Sequence, residues 1–134
     1  MSVEKILAEL VAIDSTSSRS NVEIIRFLAE RVEGLGLDAR LYPYTDERGV
    51  EKLQLVAVSS KDFKEGGEVE LALVGHTDTV PFDPAWAEAL TLVERDGKLY
   101  GRGACDTKGF IAAALCPRIA VNLKHEEEPA PAAA

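Results

Sequence analysis

The residue types best suited to chemistry stand at the two ends of one stretch, residues 69–106. Its early block reads Gly75-His76-Thr77-Asp78-Thr79-Val80-Pro81-Phe82-Asp83, and its late block reads Gly101-Arg102-Gly103-Ala104-Cys105-Asp106-Thr107-Lys108-Gly109. On extended backbone His76 and Asp78 project to the same side, so both can face one cavity. Imidazole is a common zinc ligand, and a carboxylate behind it fixes its tautomer and strengthens its donation. A His-x-Asp pair also has a plainer use, a loop histidine tied to its neighbour to stiffen a turn. Asp106 has one too, as the N-cap of the apolar run that follows it. Gly101, Gly103 and Gly109 allow tight turns on both sides of that one carboxylate, which favours a site. Two or three ligands do not close a zinc site, which takes about four, and a hydrolytic centre also needs a general base.

Elements of an α/β chain must carry these blocks. Val3, Ile6, Leu7, Leu10 and Val11 recur at helical spacing behind Ser2, a good cap, and predict a helix ending near Asp14. Ser15-Thr16-Ser17-Ser18 reads as a linker. Ser20 or Asn21 then starts a second helix with Val22, Ile25, Leu28, Ala29 and Val32 on one face, which Gly34 and Gly36 stop. Residues 37–44 read as a strand whose Pro43 argues for an edge or an exit from the sheet. Residues 53–58 read as a second strand and residues 61–67 as a charged loop. The run Val69-Glu70-Leu71-Ala72-Leu73-Val74 reads as a buried strand delivering His76 to the carboxyl end of a sheet, where open α/β sheets place their sites. Asp83-Pro84-Ala85-Trp86 is a turn or short helix, with Trp86 free to pack over the loop. Asp96-Gly97 between residues 91–95 and 98–100 predicts a two-residue hairpin. Phe110, Ile111, Ala114 and Leu115 are helical in period, Pro117 ends that helix, and residues 119–123 alternate like a short strand. The expected fold is a twisted mixed sheet with helices on its faces and the site near Gly75.

A chain of 134 residues with 46% hydrophobic and 28% charged residues has the size and balance of one globular domain. No apolar run approaches the roughly 20 residues of a membrane span. A net charge of −8 argues against nucleic acid or an anionic membrane as partner, because both need clustered Lys and Arg. The first residues carry no secretory signal pattern, and two cysteines, Cys105 and Cys116, fit free thiols in a reducing compartment, so a cytoplasmic location is expected.

Both blocks, with Asp96-Gly97-Lys98-Leu99-Tyr100 leading into the second, closely resemble the M20 family of metal-dependent amidohydrolases and exopeptidases. Within it, Pro81-Phe82-Asp83 and the run from Asp96 to Gly103 look most like the branch that removes an N-acetyl group from an amino acid; a desuccinylase or dipeptidase of the same family is the alternative. The resemblance implies that His76 binds one metal, that Asp106 bridges two, and that Asp78 supports catalysis from behind His76. It implies two zinc or cobalt ions in a complete site, an N-acylated amino acid as the small-molecule substrate, and a longer chain with a Glu pair as general base and further ligands. Thr107 stands where family members commonly have Met, a tolerable change because that side chain is not a ligand. The similarity runs to Leu115. Residues 1–124 are thus expected to form a partial catalytic domain, and residues 125–134 a low-complexity tail. Glu126 and Glu127 are weak candidates for the base, since Pro129 and the Ala/Pro tail leave nothing to hold them over a metal; His125 beside them reads as exposed. The chain alone is expected to be inactive, to hold one weakly bound ion or none, and to self-associate through an uncovered sheet. A non-catalytic fragment or a complementing subunit is the other reading.

Overall fold

The computed structural model describes residues 1–59 and 63–116. Helix α1 spans Val3–Ala12 and helix α2 spans Val22–Gly34. Ser2 caps α1 as expected, its hydroxyl accepting from Lys5 N at 3.3 Å. A Schellman turn closes α2: Leu37 N donates to Val32 O and Gly36 N to Glu33 O, with Gly36 at φ +78°. The apolar stripes of both helices enter one core, in which Ile6, Leu10, Val11 and Ile24 are almost fully buried.

Strands β1 (Asp38–Thr45) and β2 (Glu51–Val58) pair antiparallel, from Asp38 opposite Val58 to Thr45 opposite Glu51. Pro43 sits opposite Leu53, whose backbone turns the other way: Leu53 N donates to Asn21 Oδ1 at 2.8 Å and Leu53 O accepts from Asn21 Nδ2 at 2.9 Å. Pro43 therefore occupies a pair that exchanges no ladder hydrogen bond, and its missing N–H costs nothing. Asn21 stands at the N-cap of α2 without capping it, because its amide is spent on β2. Strands β3 (Val93–Arg95) and β4 (Lys98–Tyr100) form the expected hairpin, with Asp96 at φ 53° and Gly97 at φ 70°. Trp86 packs under the Arg102 guanidinium, 5.1 Å from ring centroid to cation, and ties the residues after the hairpin to the loop before it. A tight π-type turn, Ala104–Lys108, then leads into the short helix α3, Gly109–Ala114, which adds Ala112 to the core.

The α/β class stands, with a smaller sheet than expected. Among the described residues the strands form two separate two-stranded antiparallel ladders plus one parallel bridge, Thr16 to Thr79. Residues 69–74, expected as a buried strand, join no ladder, and Val69, Leu71, Leu73 and Val74 are exposed. A strand needs neighbours to take its N–H and C=O groups and to cover its faces, and no described strand lies beside this one. Among the described residues no helix is long and apolar enough to cross a membrane. The expected strand at 119–123, the helix stop at Pro117 and the tail with His125, Glu126 and Glu127 lie outside the described residues.

Candidate metal centre

The site grows from the end of α1. Asp14 Oδ1 accepts from Thr16 N at 3.0 Å and from Thr16 Oγ1 at 2.7 Å, which fixes the loop that follows. Burial works against ionised Asp14, but the two Thr16 bonds and the Arg19 guanidinium outweigh it and hold its pKa below the usual value. The loop so fixed runs alongside the His76 block. Ser15 Oγ donates to Thr77 O at 2.6 Å, Thr79 N donates to Ser15 O at 3.0 Å, and Ser17 N donates to Thr79 O at 2.9 Å. The hydroxyl-rich run expected as a linker is therefore structural, with Ser15 and Thr16 buried. A linker exposes its backbone to water, whereas this one pairs its backbone with the site loop.

Lys108 supports the second block from below. Its side chain is almost fully buried, and Nζ donates to Ile13 O at 2.9 Å, just past the end of α1. Burial lowers its pKa from 10.5 to about 8, against a partial opposing pull from the Asp14 carboxylate. The backbone Lys108 N–H closes the π-type turn on Gly103 O at 2.9 Å. α3 thus begins at Gly109 behind Lys108, and Asp106, at φ −123° and ψ 91°, is not its N-cap. Its carboxylate points out of the turn to His76.

There the side chains converge. His76 Nε2 lies 2.8 Å from Asp106 Oδ1, while Nδ1 lies 3.1 Å from both Asp78 O and Asp78 Oδ1. Burial disfavours the charged imidazole, but the Asp106 bond, the Asp78 carbonyl and the two carboxylate charges overcome it and raise the His76 pKa. Both ring nitrogens face acceptors, Nδ1 toward Asp78 and Nε2 toward Asp106, which is why the protonated ring is favoured. The structure thus brings His76, Asp78 and Asp106 within hydrogen-bonding distance of one another through the His76 ring. His76 is half exposed and Asp106 is 81% exposed.

This donor set fits a divalent cation. A neutral imidazole nitrogen and a carboxylate oxygen are first-choice zinc ligands, and two ligands of one tetrahedral ion stand about 3.3 Å apart. His76 Nε2 and Asp106 Oδ1 would be the two ligands of such an ion. Among the described residues no group of three or more His, Cys, Asp or Glu side chains gathers around a common point. Cys105, beside Asp106, is an exposed free thiol. Sequence reading missed Ser15, Thr79 and Lys108 as supports. The signals were there in a hydroxyl run directly after a helix and in a lysine between two glycines at the start of an apolar helix.

Residues 72–129, which hold His76, Asp78 and Asp106, match peptidase family M20/M25/M40. The acetylornithine deacetylase of Myxococcus xanthus is 55% identical over 109 residues, covering 81% of this chain and 28% of that protein. Those of Proteus mirabilis (strain HI4320) and Yersinia pestis are 42% and 41% identical, covering 75% and 78% of this chain and 25% and 27% of theirs. The chain spans about a quarter of the length of these curated relatives. Two motif blocks in order, with His76 of one against Asp106 of the other, and identity over most of this chain are what the protein has in common with peptidase family M20/M25/M40 and the acetylornithine deacetylases.

Proposed function

We propose that the chain supplies the His76–Asp106 half of a dinuclear centre in a metal-dependent amide hydrolase of the acetylornithine deacetylase type, which converts N-acetyl-L-ornithine and water to L-ornithine and acetate. The observation that carries this is the 2.8 Å approach of His76 Nε2 to Asp106 Oδ1, with Asp78 holding Nδ1. The relatives' names support the substrate; a desuccinylase or dipeptidase of the same family uses the same half-site. Bound zinc or cobalt supplies Lewis acidity, polarising the scissile carbonyl and acidifying water. The protein's own residues do the rest of the local work. Asp78 keeps Nδ1 protonated, so Nε2 would be the imidazole ligand, and the Asp106 carboxylate would be the second ligand.

One imidazole and one carboxylate at an exposed position hold an ion weakly, and the described residues present no general base beside them. The chain alone therefore binds about one ion weakly and turns over no N-acetylornithine. The non-catalytic fragment reading rests on the same two facts. Zinc or cobalt titration of the 134-residue chain tests the site. One weak binding event that His76→Ala and Asp106→Ala each abolish is expected, and binding indifferent to both substitutions refutes the assignment. Release of ornithine by the chain alone would overturn the claim of inactivity.

The same reading includes self-association in the cytoplasm. Residues 71–75 are uncharged and unpaired, and Leu71, Leu73 and Val74 are exposed, which is the profile of an edge that recruits another copy. Sedimentation at micromolar concentration is expected to show dimers or larger species, and a clean monomer refutes it.

A further inference from the structure

We infer that Thr107 is a positioning residue whose hydroxyl holds the backbone of His76 and so sets the imidazole against Asp106. Thr107 Oγ1 donates to His76 O at 3.0 Å and accepts from His76 N at 3.4 Å. The donated bond is the stronger by length, and the longer one adds direction. Thr107 is covalently next to Asp106, so this one hydroxyl joins the two ligand-bearing blocks 31 residues apart in the chain.

The need for it follows from what surrounds His76. Downstream, Thr77 and Thr79 are pinned to Ser15 and Ser17. Upstream, residues 69–75 make no backbone–backbone hydrogen bond among the described residues, and Val74 is 83% exposed. Gly75 lies close to Phe110 and Ile111, a non-directional contact, so the Thr107 hydroxyl is the hydrogen-bonding hold on the His76 backbone from this side. Because the contact is exposed, water can replace the lost bonds when the hydroxyl is removed. Global stability then changes little while the position of the ring is lost.

The inference rests on the metal-centre reading, and the test separates the two. Thr107→Val keeps the shape and removes the hydroxyl, while Thr107→Ser keeps the hydroxyl. In the metal-free 134-residue chain, Thr107→Val is expected to speed solvent exchange of the His76 amide roughly five- to tenfold and to erase the nuclear Overhauser contact between the His76 ring and the Asp106 Cβ protons. Thr107→Ser is expected to restore both, and the urea midpoints of all three chains should stay close together. An unchanged His76 amide and ring contact in Thr107→Val overturns the inference, as does failure of Thr107→Ser to restore them. In a parallel zinc titration, weaker binding by Thr107→Val with rescue by Thr107→Ser extends the role to the ion. Loss of the ring contact with no zinc binding by any of the three chains supports the positioning role and refutes the metal reading alone.

Discussion

Gly103 gives the sharpest test of how the two blocks are held together. It lies at φ +79°, and a Cβ built there would stand 2.6 Å from Thr79 Cγ2 and 3.2 Å from Lys108 Cδ. Gly103→Ala carries two costs. Left-handed backbone with a Cβ costs about 1 kcal/mol. The overlap adds about 1–3 kcal/mol, the range for overpacking. The upper part of that range applies because Thr79 cannot retreat: it is buried, its methyl turns only about χ1, and its N–H and C=O are both paired with residues 15–17. Lys108 is equally enclosed. Gly49 at φ +79° and Gly97 at φ +70° are the controls, since a Cβ at either meets nothing within 4 Å. With a urea slope of about 1.5 kcal/mol per molar, Gly103→Ala should lower the midpoint by about 2–2.7 M, and Gly97→Ala or Gly49→Ala by about 0.7 M. Equal midpoint shifts for Gly103→Ala and Gly97→Ala would refute the claim that Thr79 and Gly103 are in fixed contact.

Three further substitutions probe the supports. Ser15→Ala removes the buried hydroxyl that donates to Thr77 O and should cost about 1–2 kcal/mol in urea unfolding; a change below about 0.3 kcal/mol would mean the loop is not pinned there. Asn21→Ala should lose about 2 kcal/mol with its two bonds to Leu53, and Asn21→Ser, though a good N-cap residue, should not recover it because serine is too short to reach both Leu53 groups; recovery by serine would show that capping is the real role. Lys108 binds its proton less tightly folded, with a pKa near 8, than unfolded, near 10.5. The unfolded chain therefore holds more protons in that window, and its contribution to stability rises with pH from about 8 to 10.5. Thermal melts of Lys108→Met across this window should lack that part of the rise, and curves parallel to the original chain would refute the buried, depressed amine.

The helices were legible because each turns one apolar stripe into the core, so the period of Ile6, Leu10, Ile25 and Leu28 already marks the buried face. The hairpin at Asp96-Gly97 was legible because two positive-φ residues in a row leave few alternatives. What could not be read was any role that depends on a residue distant in sequence. Asn21 reads as a cap until Leu53 stands beside it, Asp106 reads as a cap until the turn closing on Gly103 starts the helix later, and Ser15 reads as a linker until Thr77 arrives 62 residues on. Thr107 shows the same limit in the site itself, since its hydroxyl meets the His76 backbone 31 residues away only once the two blocks come together.

The exposed stretch before His76 and the weak ion binding proposed for His76 and Asp106 have one cause. In residues 69–74 the apolar side chains fall on both alternating faces, the pattern of a strand covered above and below. The described residues cover neither face, so His76 and Asp106 at its end stand in water. In water two opposite charges 4 Å apart attract by about 1 kcal/mol, whereas partial burial raises this to about 4 kcal/mol. Covering the strand and drying the site are therefore the same event. Any added chain that pairs with residues 69–74 and shields their faces should tighten ion binding at His76 and Asp106 even before it contributes a ligand of its own, because it lowers the local dielectric around ligands already aligned.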